Sequence, residues 1–399
     1  SPRQSEIRAA AARTLQSWHA TFPTDLAGAA ELTERLNSVS AAAWGHRYYF
    51  NSDYTIHRRD GWFASIKMFS TRTKSGESTN DENLFGSRQS DGRLYLSLDG
   101  NEYFASNAIP ALDWTRLPGI TVEQSPTAAS TTFGFGTRTY AGGAGDGRNG
   151  VSAMELTPLG SALTAKKAFF FFDDAILFLG NSITSPSTNR VETIINQWPL
   201  RNATTPLVTG SDWAACDNIG YWLPTPAAVK TTRALRSGTW AALGGSTDTT
   251  QRSMSFLTMW IDHGTAPVNA SAEYAIVPNI SADAMRSWAA TQPLAIVANN
   301  AVVSAARDRR TNSLGIAFWS AGVVEGFQSS APAIVYITDD GHTLHVWAAD
   351  PNAGATGTFR LTIPGRFTGG GLHSTTLDIP RNGGRTTHVA LTRMVKRRI

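Results

Sequence analysis

From Tyr48 onward the chain is a succession of short runs rich in β-branched and aromatic residues. TIHRRDGWFASIKMFSTR, GRLYLSL, STTFGF, GVSAMEL, KKAFFFF, AILFLGNSI and VETIINQ follow one another, separated by Gly, Asp, Asn and Pro turns. That spacing admits few architectures, and a large antiparallel β-sandwich fits it best. The pattern continues through SFLTMWIDHG and AEYAIVPN to about Thr291. A second β block then begins near Leu294, with AIVANNAVVSAARD, SLGIAFW, AIVYITDDG, TLHVWAADP, GTFRLTIPG and THVALTRM. The expected fold class is therefore mostly β: a large antiparallel β-sandwich over 44–291, followed by a smaller β-sandwich over 292–399. The boundary falls near Gln292-Pro293. With 399 residues the chain exceeds one typical core, and 35 glycines, 18 prolines and 12 tryptophans suit a turn-rich β protein. A hydrophobic fraction of 41% with 17% charged residues excludes disorder.

Residues 1–43 differ. Ile7, Ala11 and Leu15 repeat at about one helical turn, and Ala29, Leu32 and Leu36 do so again after the break at Phe22-Pro23-Thr24. Two such helices bury no core of their own and read as the last pair of a larger helical domain. The opening SPRQSEIRAAAARTL carries no signal peptide and reads as a mature or cleaved N-terminus.

Several function classes drop out. The apolar run AFFFFDDAILFLG (168–180) is too short for a membrane span and is broken by Asp173-Asp174, so two buried strands joined by a turn are expected and no membrane segment. Net charge is +4 with a pI near 9.3, compatible with a polyanionic partner. A basic helix, zinc-finger spacing and aromatic RNA-binding strand are all absent, so nucleic acid is not the expected partner. The tail MVKRRI reads as a solvated charge run. A single cysteine, Cys216, allows no internal disulfide or cysteine metal site and reads as a buried small residue. The nucleophile elbow, zinc-protease motif, phosphate loop and dinucleotide fingerprint are missing. His342 and His345 belong to a strand and its turn. Asp173-Asp174 and Asp339-Asp340 sit at hairpin turns, poor positions for a glycosidase acid/base pair. No cofactor is called for; a structural calcium stays open without any residue pointing to it. Three sequons, at Asn202, Asn269 and Asn279, would accept glycans in a secreted eukaryotic protein.

One polar stretch stands out against this scaffold. TRTKSGESTNDENLFGSRQSDG (71–92) packs Glu77, Asn80, Asp81, Glu82 and Asn83 into seven positions between the strands WFASIKMFST and RLYLSL. Such residues favour turns for local backbone reasons, and a polar loop on a rigid scaffold is equally where function is placed.

Ordered segments resolve that choice. FNSDYTIHRRDGWFASIKMFSTR, GESTNDENLFGSRQSDG, LDWTRLPGITVEQ, GGAGDGRNGVSAMEL with LTAKKAFFFFDDAILFLGNSI, VETIINQ and DHGTAPVNASAEYAIVPN resemble, in order, the β-rich part of polysaccharide lyase family 8, the hyaluronate, chondroitin AC, xanthan and mannuronan lyases. The resemblance covers roughly residues 48 to 280. It implies an extracellular enzyme that cleaves a uronic-acid polysaccharide by β-elimination, leaving a 4,5-unsaturated uronate. It also implies that the catalytic Asn, His and Tyr lie on an N-terminal α/α toroid, as a separate chain or domain, with 1–43 as its last helices. Carried over by motif, Glu77 would hold an arginine or the catalytic histidine of the toroid, and Asn80 would bind substrate or the same network. Glu82 and Asn83 would line the cleft or stabilise the loop. Arg58 and Arg59 would face the polyanion or be surface charges; Arg3 lies near the end of a catalytic arginine motif and carries no assignment. Where the family continues the loop with Gly-Trp-Tyr-Thr-Gly-Asp-Gly, this chain has Gly86-Ser-Arg-Gln-Ser-Asp-Gly92. Arg88 in place of an aromatic suits a homopolyuronate such as polymannuronate, with hyaluronan or chondroitin close behind. The rival readings are, first, a non-catalytic carbohydrate-binding β-sandwich module and, second, a glycoside hydrolase.

Overall fold

All but one of the strand-like runs named above form antiparallel strands. The computed structural model describes residues 44–76, 81–103, 107–125, 133–365, 367–368 and 373–394. The helices expected in 1–43, and Arg3, Glu77 and Asn80, lie outside the described residues. The exception is STTFGF. Its described part contributes only a single bridge, between Phe135 and Lys74.

The first sheet is a meander of β1 (Gly45–Tyr49), β2 (Tyr54–Arg59), β3 (Trp62–Lys67) and β4 (Arg93–Ser97). After it come β5 (Thr121–Glu123), β6 (Ala141–Gly145), β7 (Gly150–Leu156), β8 (Thr164–Phe171), β9 (Ile176–Thr184) and β10 (Arg190–Leu200). The block closes with β11 (Val208–Thr209), β12 (Trp213–Cys216), β13 (Ile219–Trp222), β14 (Val229–Gly238), β15 (Arg252–Thr265) and β16 (Ala270–Pro278). Their order is β11-β12-β13-β16-β9-β8-β7-β6 in an eight-stranded sheet and β14-β15-β10-β5 in a four-stranded one. Two one-turn helices, α1 (Ala108–Ala111) and α2 (Trp240–Leu243), cap the loop end, and α3 (Ala282–Thr291) follows β16. The sequence reading missed α3. Its signals are Ser281, whose hydroxyl caps Ala284 N, and buried Met285 and Ala289 one turn apart.

The described residues of 294–394 form a six-stranded sheet and a four-stranded sheet. The strands are β17 (Leu294–Asn299), β18 (Val303–Asp308), β19 (Ser313–Phe318), β20 (Gly322–Val324), β21 (Phe327–Ser329) and β22 (Ala333–Asp339), then β23 (Thr343–Ala349), β24 (Thr358–Pro364), β25 (Ser374–Pro380) and β26 (Thr387–Thr392). The orders are β17-β18-β19-β22-β23-β26 and β20-β21-β24-β25.

The four consecutive phenylalanines of β8 and its turn explain how the two blocks meet. Successive strand residues point to opposite faces. Phe169 and Phe171 enter one core with Phe178, Trp198, Leu257 and Tyr274. Phe170 and Phe172 enter a second with Leu177, Ala306, Trp319, Ile334 and Tyr336. A strand buried on both faces reads as a continuous apolar run, as this one does. From Gly45 onward the chain is one compact unit. The turn after β8 closes as expected, with Phe172 N donating to Ala175 O at 2.9 Å. Cys216 is buried, and burial pushes its thiol up.

Beneath β1 and β2 lie His46 and His57, both buried, with rings packed against Phe171. Burial, then the nearby Arg59 guanidinium, pushes the His46 imidazole down to about 3. The folded state thus holds a neutral ring where the unfolded chain takes a proton near pH 6.5. The associated stability is complete above pH 6.5 and is lost as pH falls toward 3. At pH 5 the loss is about 2 kcal/mol for such a group. Thermal denaturation should therefore show Tm falling between pH 6.5 and 5, with a shallower slope for His46→Leu; identical slopes would remove His46 as the cause.

Candidate functional site

The loop 71–92 is fixed at both ends by residues far away in sequence. Asp53, fully buried with φ +46°, is the first anchor. Its carboxylate accepts from Ser70 Oγ at 2.6 Å, Thr73 Oγ1 at 2.7 Å, Arg72 Nη2 at 2.5 Å and Tyr48 OH at 3.1 Å. With that many donors around it, the buried carboxylate has its acceptor positions filled by hydrogen bonds. The outgoing limb then pairs with 133–138: Ser75 N donates to Gly134 O at 2.8 Å, and Thr71 N to Arg138 O at 2.9 Å. Glu77 and Asn80 follow, outside the described residues.

The returning limb begins at Asp81 and Asn83, both in the left-handed region at φ +59° and +55°. Leu84 N donates to Leu243 O at 2.8 Å, tying the limb to α2 at the tip of the β14–β15 hairpin. There Gly244 has φ +85°, and a Cβ on it would overlap the Asp81 carbonyl oxygen. A Cβ on Gly245 would lie 2.6 Å from Glu82 Cγ. Only glycine permits this approach. Glu82 is exposed, whereas Asn83 turns back over Gly86, its Nδ2 2.5 Å from where a Cβ would stand. Asn83 is thus a loop-stabilising residue in this structure.

Arg88 does not reach outward. It sits in a one-turn 3-10 segment, Gly86–Arg88, with Nη1 donating to Leu159 O at 3.2 Å and lying 3.6 Å from Asp91 Oδ2. Asp91 is wholly buried, and burial pushes its carboxyl up against the opposing pull of Arg88 and Lys167. The buried Lys167 ammonium, pushed down for the same reason, donates to Asp91 O at 2.7 Å and Gly119 O at 2.5 Å. Three stretches distant in sequence therefore converge on one ammonium: the loop (Asp91), Leu117-Pro118-Gly119 and Ala165-Lys166-Lys167. Next to it Arg116 forms a bidentate pair with Glu192, at 2.8 and 3.0 Å, and lies over the Trp260 ring at 4.6 Å.

Arg59 overturns one sequence expectation. It is 6% exposed and faces neither solvent nor a polyanion. Its Nη2 donates to Asn149 Oδ1 at 2.6 Å, to Asp173 Oδ1 at 3.2 Å and to the Arg148 carbonyl. The alternation that buries Arg59 leaves Arg58 exposed on β2. Asp173 also pairs with Arg148 at 2.6 Å, and Asp174 accepts from Trp288 Nε1 at 2.9 Å and pairs with Arg310, so both serve packing. His345 Nδ1 lies 3.1 Å from His388 Nε2 on a neighbouring strand. Among the described residues no group of three His, Cys, Asp or Glu side chains is placed to hold a metal. Asn202, Asn269 and Asn279 are all exposed; Asn202 Oδ1 accepts from Thr204 Oγ1 at 2.7 Å within its own sequon.

The sequence reading did not single out Phe135. Its ring is 57% exposed, bridged to the loop through Lys74, whose Nζ is 5.9 Å from the ring centroid. An exposed ring beside an ammonium offers a stacking face and a cation to an anionic sugar chain. If the loop borders a polysaccharide cleft, Phe135→Ala should raise KM for that substrate about tenfold, the equivalent of about 1.4 kcal/mol, with kcat nearly unchanged. An unaltered KM would take Phe135 out of the site.

A broad antiparallel sandwich that presents one rigidly anchored polar loop, backed by a smaller sandwich, defines a class of large two-sandwich β proteins. Within it, this chain belongs to polysaccharide lyase family 8. The family's super-sandwich domain matches residues 44–289, and its C-terminal β-sandwich domain matches 295–357. The chain is 30% identical over 347 residues to chondroitinase-AC of Pedobacter heparinus, covering 81% of this chain and 49% of that one. It is 28% identical to the xanthan lyase of Bacillus sp. strain GL1, over 88% of this chain and 41% of that one. Among solved structures, the chondroitin AC lyase of Streptomyces coelicolor A3 superposes with TM-score 0.83 at 27% identity, covering 88% of this chain and 50% of the other. Paenibacillus xanthan lyase gives 0.83 at 28%, covering 92% and 40%. The chain spans about half the length of the curated relatives it matches.

Proposed function

We propose that this chain is the β part of a secreted polysaccharide lyase that cleaves a uronic-acid polysaccharide by β-elimination. The observation that carries the reading is the convergence of the loop, the Leu-Pro-Gly segment and the Ala-Lys-Lys segment on Lys167, within a chain whose relatives are chondroitin, xanthan and hyaluronate lyases.

The chemistry sets what the complete enzyme must supply. The C5 proton of a uronate is a poor acid while the adjacent carboxylate is ionised. Its removal needs a neutralised carboxylate, a stabilised enolate and a base. The C5–H bond pair becomes the new C4–C5 double bond, the C4–O4 pair leaves with the oxygen, and that oxygen takes up a proton. We assign the base and the carboxylate-neutralising residues, Tyr, Asn and His, to an N-terminal helical toroid. In this assignment Glu77 and Asn80 position them from the loop, and Glu82 and exposed Arg58 border the cleft. Polymannuronate is the preferred substrate, ahead of hyaluronan and chondroitin. The support is that positions 86–92 carry no aromatic ring on which an acetamido sugar would stack. Arg88, turned toward Asp91, lends that choice no direct contact.

The test is a panel of polymannuronate, polyguluronate, hyaluronan, chondroitin and xanthan, given to the complete enzyme and read by ultraviolet absorbance of the unsaturated uronate. Polymannuronate should give the fastest rise. Absorbance that stays flat on all five, with binding retained, would replace the lyase with a carbohydrate-binding module.

A further inference from the structure

A cavity in the C-terminal block lies between its two sheets, lined by residues of both. It encloses about 500 Å³, within the rough 300–1,000 Å³ range of small-molecule sites. Its floor is apolar: Leu314, Phe327, Ile337 and Leu344, all buried. Its rim is made of planar polar groups. Arg307, on β18, donates to Asn312 Oδ1 at 2.7 Å and pairs with Glu325 at the β20–β21 turn, so this pair spans the two sheets. Across the mouth Arg393 pairs with Asp339 while its guanidinium lies 5.3 Å from the Phe367 ring centroid.

Two features separate this rim from packing alone. Glu325 is 41% exposed and Arg393 36%, so each pair keeps lone pairs and N–H donors turned to solvent. Among the described residues the rim charges also balance, two guanidiniums against two carboxylates, so these four groups exert no net pull on an anion. A ligand that suits it presents an apolar face to the floor and closely spaced hydroxyls to the rim, where adjacent hydroxyls both donate to carboxylates and accept from guanidiniums. A pyranose ring has that shape and chemistry. A uronate in the same place sets its carboxylate against Glu325 or Asp339.

We propose that this cavity binds a neutral pyranose glycan, separately from the loop wall of the central sandwich and independently of the lyase reading. The site would hold the protein on an uncharged polysaccharide, whatever the central block does.

Titration calorimetry of the complete protein with cellohexaose, mannohexaose and xylohexaose, and with mannuronate tetramer as the charged counter-probe, tests this. At least one neutral hexaose should bind with Kd between about 10 μM and 1 mM, and more tightly than the tetramer. Glu325→Gly keeps a backbone that already has φ +47° and removes one carboxylate; Arg393→Gln removes a guanidinium from the opposite side. Each should weaken binding at least tenfold with Tm nearly unchanged, and Phe135→Ala should leave it as it was. No heat from any neutral hexaose, tighter binding of the tetramer, or two folded variants that bind normally would each overturn the proposal.

Discussion

On the proposed lyase reading, Gly244→Val in the complete protein should lower kcat on the polysaccharide about a hundredfold while the protein remains folded. Gly244 combines φ +85° with a carbonyl oxygen, that of Asp81, occupying the space where a Cβ would stand. Valine therefore pays twice, once for a left-handed β-branched residue and once for the overlap. Moving the hairpin tip or the loop relieves it. The tip is a four-residue helix, while the loop carries Asp81 and Glu82 and is tied to it by the Leu84–Leu243 bond, so the returning limb moves. A shift near 1 Å at residues that position a catalytic group costs about a hundredfold in rate. Circular dichroism and a Tm within a few degrees of wild type would separate displacement from unfolding. Normal turnover in a folded Gly244→Val protein would show that the wall at 81–84 does not position the chemistry.

The largest stability effect belongs to Arg59→Ala. The guanidinium, 5% exposed at its side chain, holds Asn149, the Arg148 carbonyl and Asp173 together with the end of β2. Removing it takes a donor from Asn149 Oδ1 and from the Arg148 carbonyl and a cation from Asp173, which costs about 3–5 kcal/mol. Arg59→Lys should recover part of this, since one ammonium keeps the charge and cannot span all three acceptors. Denaturant unfolding gives the measurement. A midpoint unchanged in Arg59→Ala would mean that Arg148, alone with Asp173, suffices.

The contrast between Arg58 and Arg59 marks where the sequence reading stops. Two adjacent arginines at a strand end are equivalent in composition, and the strand period says only that they face opposite ways. Which face is covered depends on the 146–149 turn and Asp173, more than 80 residues away. Arg88 follows the same rule: its substitution for an aromatic was visible, and the buried Asp91 that turns it inward was not.

Local pattern was enough for β2 to β4, β7 to β10, β15 to β19, β22 to β24 and β26, the Phe172–Ala175 turn and the buried Cys216, because period-two burial and turn chemistry act within a few residues; it singled out none of β1, β5, β11 to β14, β20, β21 and β25. It missed β6, Ala-Gly-Gly-Ala-Gly, because glycine is a poor strand former. Those glycines are there for contact: the Tyr48 ring packs on Gly143, Pro351 on Gly142 and the His46 ring on Gly145. The sequence by itself determined the architecture, the loop and the family. Only the tertiary structure decided that Asp53 and Lys167 anchor the loop, that Gly244 lets the β14–β15 hairpin close on it, and that Phe135 stands beside it. Each of those depends on atoms brought together across long sequence separations, where no local propensity acts.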